Sequence, residues 1–415
     1  MSQHIRSFRA LAPLTLAFAL VAACESSTSP GNGVEPIDRL PRDLSITERE
    51  LIEVGNAFAF DLLRAVSGRT DDNVFLSPLS VSMALGMALN GAAGETFDAM
   101  RRTLGHGEAE LEAINAAYRD LIRLLVDLDR SVDIGIGNSV WHHQDFAAEP
   151  PFLDAARTYF DAEVEGLDFR DPAAPDVINA WVAERTKGRI PTIIDSIDPY
   201  EIMFLVNAVY FKASWVDRFD PAETRPAPFR RSDGTEVTTP MMNREGKVRS
   251  RWTKTAMIVD LPYGGGAFSM TIAVPRVGID LDDLIEGLDP ETWQEWTDGL
   301  VETSTILSMP KFELKFKSNL ANALTDLGMG IAFSMAADFS RLSREHRLAL
   351  SRVEHSTYVK VDEEGTEAAA ATAVGVSLTS MPPPARIDRP FVFAIRERHS
   401  GAILFIGKVE DPTAG

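Results

Sequence analysis

A single cysteine, Cys24, occurs among the 415 residues. An internal disulfide is therefore excluded, and stability must come from packing. Histidine is scarce too, with seven residues at 4, 106, 142, 143, 346, 355 and 399. His142 and His143 are adjacent, which in a strand sends them to opposite faces and makes them poor co-ligands. Neither a G-x-S-x-G elbow nor an H-E-x-x-H pair occurs, so the usual marks of a serine hydrolase or a zinc peptidase are missing. Gly264, Gly265 and Gly266 follow Tyr263 and precede the strand-like AFSMTIAV. This reads as a hairpin turn in preference to a phosphate cradle. No metal or nucleotide signature is found, so a non-enzyme with no cofactor and no metal is expected. Positive charge is in short supply: the formal net charge is −20. That disfavours nucleic acids and anionic polysaccharides as partners.

The apolar run at residues 11–23 is too short to span a bilayer as a helix. It follows Arg6 and Arg9 and ends in Val21, Ala22, Ala23 and Cys24. This resembles a bacterial lipoprotein signal, in which small residues precede a cysteine that becomes the lipidated N-terminus. An ordinary secretory signal that happens to contain a cysteine is the alternative. Two features favour lipidation: Cys24 has no cysteine partner, and ESSTSPGNGV follows it as a polar tether. Multiple acyl chains would anchor the protein stably. The expectation is a signal at 1–23, a tether at 24–46, and an exported protein held in the bacterial cell envelope on the periplasmic face or cell surface. Loss of Arg6 and Arg9 leaves a chain two charges more negative than −20.

Beyond residue 47 there is no internal repeat and no shift in composition. With 45% hydrophobic residues, one large domain over 47–412 is expected. A helix is predicted from Thr47, with Thr47 as cap and Glu50 three residues later as in a capping box; Leu51, Val54, Phe58 and Leu62 supply one apolar face. Residues 73–76 read as a strand, ended by Ser77 and Pro78, which open a helix. Residues 133–141, 203–214 and 348–361 read as strands, and 172–187 as a helix. The run at 204–211 is apolar on both faces, as suits a strand covered on both sides. Strands and helices mix without strict alternation, so the expected class is α+β.

The stretch at 363–385, EEGTEAAAATAVGVSLTSMPPPA, has no large hydrophobic group except Leu378 and Met381, and no charge after Glu367. A long irregular connection inside a compact domain is uncommon. At period two, one set of residues is Thr366, Ala368, Ala370, Thr372, Val374 and Val376. These could face inward in a sheet without steric or desolvation penalty. Three readings stand at this point: a loop able to become a central strand, a flexible linker, or a helix favoured by the alanines.

The segment resembles the reactive-loop hinge of serpins, the serine protease inhibitor superfamily. Gly365, Thr366, Glu367, Ala368, Ala369, Ala370, Ala371 and Thr372 match the hinge of inhibitory members position by position, and Glu363 precedes it. The resemblance extends to NVFLSPLSVSMALGMALNGAAGET at 73–96, INAWVAERTKGRI at 178–190 and FLVNAVYFKASWVDRFDP at 204–221. It also takes in MPKFELKFKSNLANALTDLGMGIAFSMAADFS at 309–340 and RPFVFAIRERHSGAILFIGKVEDP at 389–412. It covers roughly 47–412.

This resemblance implies three β-sheets, eight or nine helices and an exposed reactive-centre loop at 363–385. Loop insertion into a sheet is established serpin behaviour. By family spacing the reactive bond joins Thr379 to Ser380; a shift by one would place cleavage after Leu378. Trp215 and His355 are expected where the loop enters the sheet, His355 in a structural role. The expected partner is a serine protease, trapped as a covalent complex by a monomeric inhibitor. With Leu378 and Thr379 before the bond and no basic residue at 363–384, an elastase-, subtilisin- or chymotrypsin-like target is expected. Some serpins bind glycosaminoglycans through a basic helix; here Arg119, Arg123 and Arg130 sit among many acids, which reads as a mixed solvated face. The rivals are a non-inhibitory serpin acting as binder or chaperone, and an unrelated surface lipoprotein with a disordered loop.

Overall fold

The computed structural model describes residues 34–198, 201, 203–345, 347–366 and 384–414. Nine α-helices occur among them: α1 (Ile46–Ser67), α2 (Pro78–Leu89), α3 (Gly94–Thr103), α4 (Leu111–Asp127), α5 (Pro150–Phe160), α6 (Ala174–Arg185), α7 (Leu281–Glu286), α8 (Pro290–Asp298) and α9 (Ala321–Leu324). The first helix corrects one expectation. Its cap is Ser45, not Thr47, and the box partner is Glu48, not Glu50: the Ser45 hydroxyl accepts from the Glu48 N–H and the Glu48 carboxylate accepts from the Ser45 N–H. Both pairs have capping-box spacing, and the choice falls to Glu48 because Arg42 grips its carboxylate with two donors at 2.8 and 2.5 Å.

A six-stranded sheet runs in the order β10 (Phe312–Asn319), β11 (Val353–Asp362), β12 (Gly365–Thr366), β4 (Met203–Ser214), β2 (Val132–His143) and β3 (Glu163–Leu167). A nine-stranded ladder runs β1 (Val74–Leu76), β15 (Ile403–Val409), β14 (Phe391–Glu397), β8 (Phe268–Pro275), β7 (Ala256–Tyr263), β6 (Glu236–Trp252), β9 (Val301–Pro310) and β13 (Ala385–Arg386), with β5 (Arg225–Arg230) branching from β6. The long β6 joins two arms of this ladder: residues 249–252 pair with β7, while 241–250 pair with β9. The three expected sheets are therefore present, the second and third sharing β6. The class is α+β, as read from the sequence.

β4 shows why a doubly apolar run belongs in the centre. Phe204, Val206 and Ala208 pack with Trp141, Phe169 and with Ile178 and Val182 of α6, which crosses that face. Leu205, Val209, Phe211 and Ala213 point the other way into the main core, which also holds α1, α2 and β15. The strand expected to begin at Leu348 begins at Val353 instead. Leu350 donates its N–H to the carbonyl of Ala332, outside the sheet, so this stretch is drawn off the ladder.

Candidate functional site

β4 and β11 are neighbours, and their pairing changes along their length. From Val353↔Leu205 to Tyr358↔Tyr210 they form six parallel pairs. Beyond that they part, and β12 lies between them. Thr366 pairs with Val361 and Ala213, and Gly365 with Asp362 and Ser214, antiparallel to both neighbours. A hairpin turn at Glu363 and Glu364 returns the chain from β11 into the gap. Two residues of the expected hinge are thus already strand in this structure.

Local chemistry holds them there. Gly365 has φ 147°, and a Cβ would stand 2.2 Å from the Ala213 carbonyl oxygen, so only glycine can occupy this position without strain. Thr366 is fully buried, and its hydroxyl shares a 2.8 Å hydrogen bond with Tyr263. Burial pushes up the pKa of the Tyr263 phenol and keeps it protonated. Trp215 lies stacked on Tyr263 with centroids 4.3 Å apart. Its backbone N–H donates to the Glu364 carbonyl at 2.8 Å and its indole N–H to the Asp362 carbonyl at 2.9 Å.

Glu363 closes the turn. Its carboxylate accepts from Thr224 Oγ1 and Lys311 Nζ, each at 2.7 Å, and its carbonyl from the Phe219 N–H at 2.9 Å. Burial opposes the charge, but the hydrogen bonds from Lys311 and Thr224 outweigh it and hold the carboxyl below its ordinary pKa. Neither partner was singled out from the sequence. Lys311 is 52 residues and Thr224 139 residues away, and nothing local marks them.

His355 lies elsewhere. Six positions down β11 from Val361, it is fully buried and paired in register with Asn207. Its Nε2 accepts the Ser77 N–H at 3.1 Å, so the ring proton resides on Nδ1, and burial lowers its pKa to about 3. Around it a buried polar strip links β11, β4, β2 and α2: Asn207 donates to Asn138 at 2.8 Å and to Ser80, and Thr357 donates to the Phe75 carbonyl at 2.6 Å. The structure thus sets Trp215 beneath the hinge and His355 in the middle of the sheet, where the two strands still pair directly. Two atoms of the strip, Asn207 Oδ1 and His355 Nδ1, are buried without a hydrogen-bond partner. Glu367, Ala368, Ala369, Ala370, Ala371, Thr372, Thr379, Ser380 and Cys24 lie outside the described residues.

The family model described as "Serpin (serine protease inhibitor)" matches residues 53–412. A serpin-like protein of Thermococcus kodakarensis is 34% identical over 377 residues, covering 89% of this chain and 87% of that relative. The protein Z-dependent protease inhibitor of Homo sapiens is 32% identical over 381 residues, covering 89% and 84%. Among solved structures, human thyroxine-binding globulin superposes with a TM-score of 0.82 at 31% identity, covering 88% of this chain and 100% of that one. The chain belongs to the serpin family.

Proposed function

We propose that the protein inhibits a serine endopeptidase as a suicide substrate. The observation that carries this reading is the two-residue β12, a strand begun at the open end of a sheet whose central neighbours are parallel further down. Continued without slippage, the β12 register brings Thr372 between Asn207 and His355, Val374 beside Leu205 and Val353, and Val376 beside Met203. Full insertion would replace one parallel ladder by two antiparallel ones, and parallel pairing is the weaker per residue. Thr366 faces the core, so by alternation Ala368, Ala370, Thr372, Val374 and Val376 share its face, all small or apolar. Glu367 takes the other side, level with the partly exposed Lys212.

In this mechanism the protease serine attacks the Thr379 carbonyl carbon. The Thr379–Ser380 amide breaks, an ester joins Thr379 to the enzyme, and the amine of Ser380 leaves with the proton relayed by the protease's own base. The freed segment then enters the sheet faster than water cleaves the ester, carrying the protease across the molecule and distorting its active site. Leu378 and Thr379 fit an elastase-, subtilisin- or chymotrypsin-like specificity. The test is incubation with such proteases followed by a denaturing gel and mass spectrometry. A stable complex that releases a fragment beginning at Ser380 is expected; cleavage with no complex overturns the reading.

The protein is further proposed to act as a monomer, exported and lipid-anchored through Cys24. Replacement of Cys24 by alanine should move it from the membrane fraction to the soluble fraction. The second reading, a non-inhibitory serpin that binds or chaperones another molecule, draws on the likeness to a thyroxine-binding protein. Against it stands a hinge free of proline and bulky side chains. Nicking the loop decides between them: a marked rise in melting temperature belongs to the inhibitor alone.

A further inference from the structure

The chain enters the folded body beside the hinge. The N–H of Ile37 donates to the Gly265 carbonyl at 2.8 Å, and the Ile37 carbonyl accepts from His399 Nε2–H at 2.9 Å. The Ile37 side chain packs partly buried against the core. Gly265 makes this approach possible, since a Cβ there would stand 2.8 Å from the Glu35 carbonyl oxygen and 3.1 Å from the Ile37 side chain. Further along, Arg42 ties the same segment to Glu48 and to the Asp120 carbonyl.

The turn at 264–266 that receives this segment is also what fixes the end of β4. Gly264 N–H donates to the Ser214 carbonyl at 2.9 Å, and Val216 N–H to the Pro262 carbonyl at 2.9 Å. Asp129 accepts from Gly265 N–H at 2.7 Å, bracing the turn from a third side. Next to the turn stands Tyr263, which carries Trp215 on its ring and Thr366 on its hydroxyl. A continuous series of contacts therefore runs from Ile37 through the turn to Ser214, Trp215 and the hinge.

We propose that residues 35–37 form a strap that locks the open end of the six-stranded sheet through the 264–266 turn. Releasing β12 from the sheet requires Ser214 and Trp215 to leave Gly365, Glu364 and Asp362. The strap opposes that movement by holding the turn to which Ser214 is bonded. The segment leading in from the N-terminus thereby governs how firmly β12 is held in the sheet. This inference rests on the hinge geometry and not on the inhibitory reading, so it can fail while that reading survives.

The test is hydrogen exchange on the full-length protein, without protease. Ile37→Pro removes the N–H that holds Gly265. His399→Leu removes the donor to Ile37, and because His399 is exposed this variant keeps its fold. His399→Gln retains a donor. At least tenfold faster exchange over 362–366 and 213–216 is expected in Ile37→Pro and His399→Leu, with His399→Gln near the parent and segment 138–142 unchanged. Unaltered exchange at 362–366, or an equal acceleration across the whole molecule, would overturn the strap. So would a His399→Gln variant as fast as His399→Leu.

Discussion

Glu363 and Lys311 meet 2.7 Å apart across the hairpin turn, the carboxylate nearly buried and the ammonium about one-third exposed. Because Lys311 keeps part of its hydration, the pair is worth less than a fully buried one. Glu363→Lys would set two ammonium groups against each other and strand Thr224 without its acceptor. A loss of about 1–3 kcal/mol is expected, read as a lower urea midpoint, with destabilisation concentrated at the hinge. An unchanged midpoint would show that the turn is held by its backbone alone.

Thr366 is already inside the sheet before any cleavage, so its replacement acts on the starting molecule as well as on the product. Thr366→Arg should expel β12 in the intact protein, because an unpaired buried guanidinium is too costly to retain. The same charge would have to cross the sheet during insertion. The variant should be cleaved by the target protease without trapping it. A denaturing gel showing normal complex yield would refute this. Glu367→Gln, on the opposite face, should trap as well as the parent.

The unpartnered Asn207 Oδ1 and His355 Nδ1 flank the level at which Thr372 would arrive. A hydroxyl there can donate to the first and accept from the second. Thr372→Val keeps the shape and removes the hydroxyl. Intact stability should be unchanged, while the loop-nicked form should lose about 1–3 kcal/mol. Equal denaturation midpoints for the two nicked proteins would place Thr372 elsewhere.

Acid should weaken the fold early. His355 titrates near 3 because of burial, and His106 near 4 because of burial and then the neighbouring Arg101 charge, against an ordinary 6.5. Below about 6.5 the unfolded chain binds protons that the folded one refuses, so stability is full above that pH and falls as pH drops toward 4. With both groups contributing, the slope approaches about 2.7 kcal/mol per pH unit. Glu363 adds a second fall lower down: its folded pKa lies below the ordinary 4.5, so its contribution is present above that value and lost beneath it. Denaturant unfolding at pH 7, 6 and 5 measures the slope, and His355→Gln should remove about half of it.

Much of the fold was legible because a few segments admit one interpretation. Residues 204–211 are apolar on both faces and could only be a central strand; Pro78 after a short strand marks a helix start; Gly264 to Gly266 form the β7–β8 hairpin as read. Two kinds of information were not local. Ser45 with Glu48 and Thr47 with Glu50 satisfy the same capping rule, and only the position of Arg42 in space decides between them. Gly365 and Thr366 open a stretch whose period-two pattern left strand, linker and helix all open, and their β12 conformation is decided by the gap between β4 and β11. Of the site, Glu363, Gly365, Thr366 and Trp215 were singled out in the sequence and lie together in the structure, whereas Lys311, Thr224 and Tyr263 reach them from distant parts of the sequence.

The attachment of Ile37 beside the 264–266 turn has a geometric consequence for the whole particle. Nine residues lie between Cys24 and Val34, and the ten peptide steps they span reach at most about 36 Å. A lipid on Cys24 would therefore keep Val34, and with it the attachment of Ile37 to the 264–266 turn, close to the bilayer. Enzymes working at the surface of that same membrane would meet the protein first, and those diffusing far from it rarely.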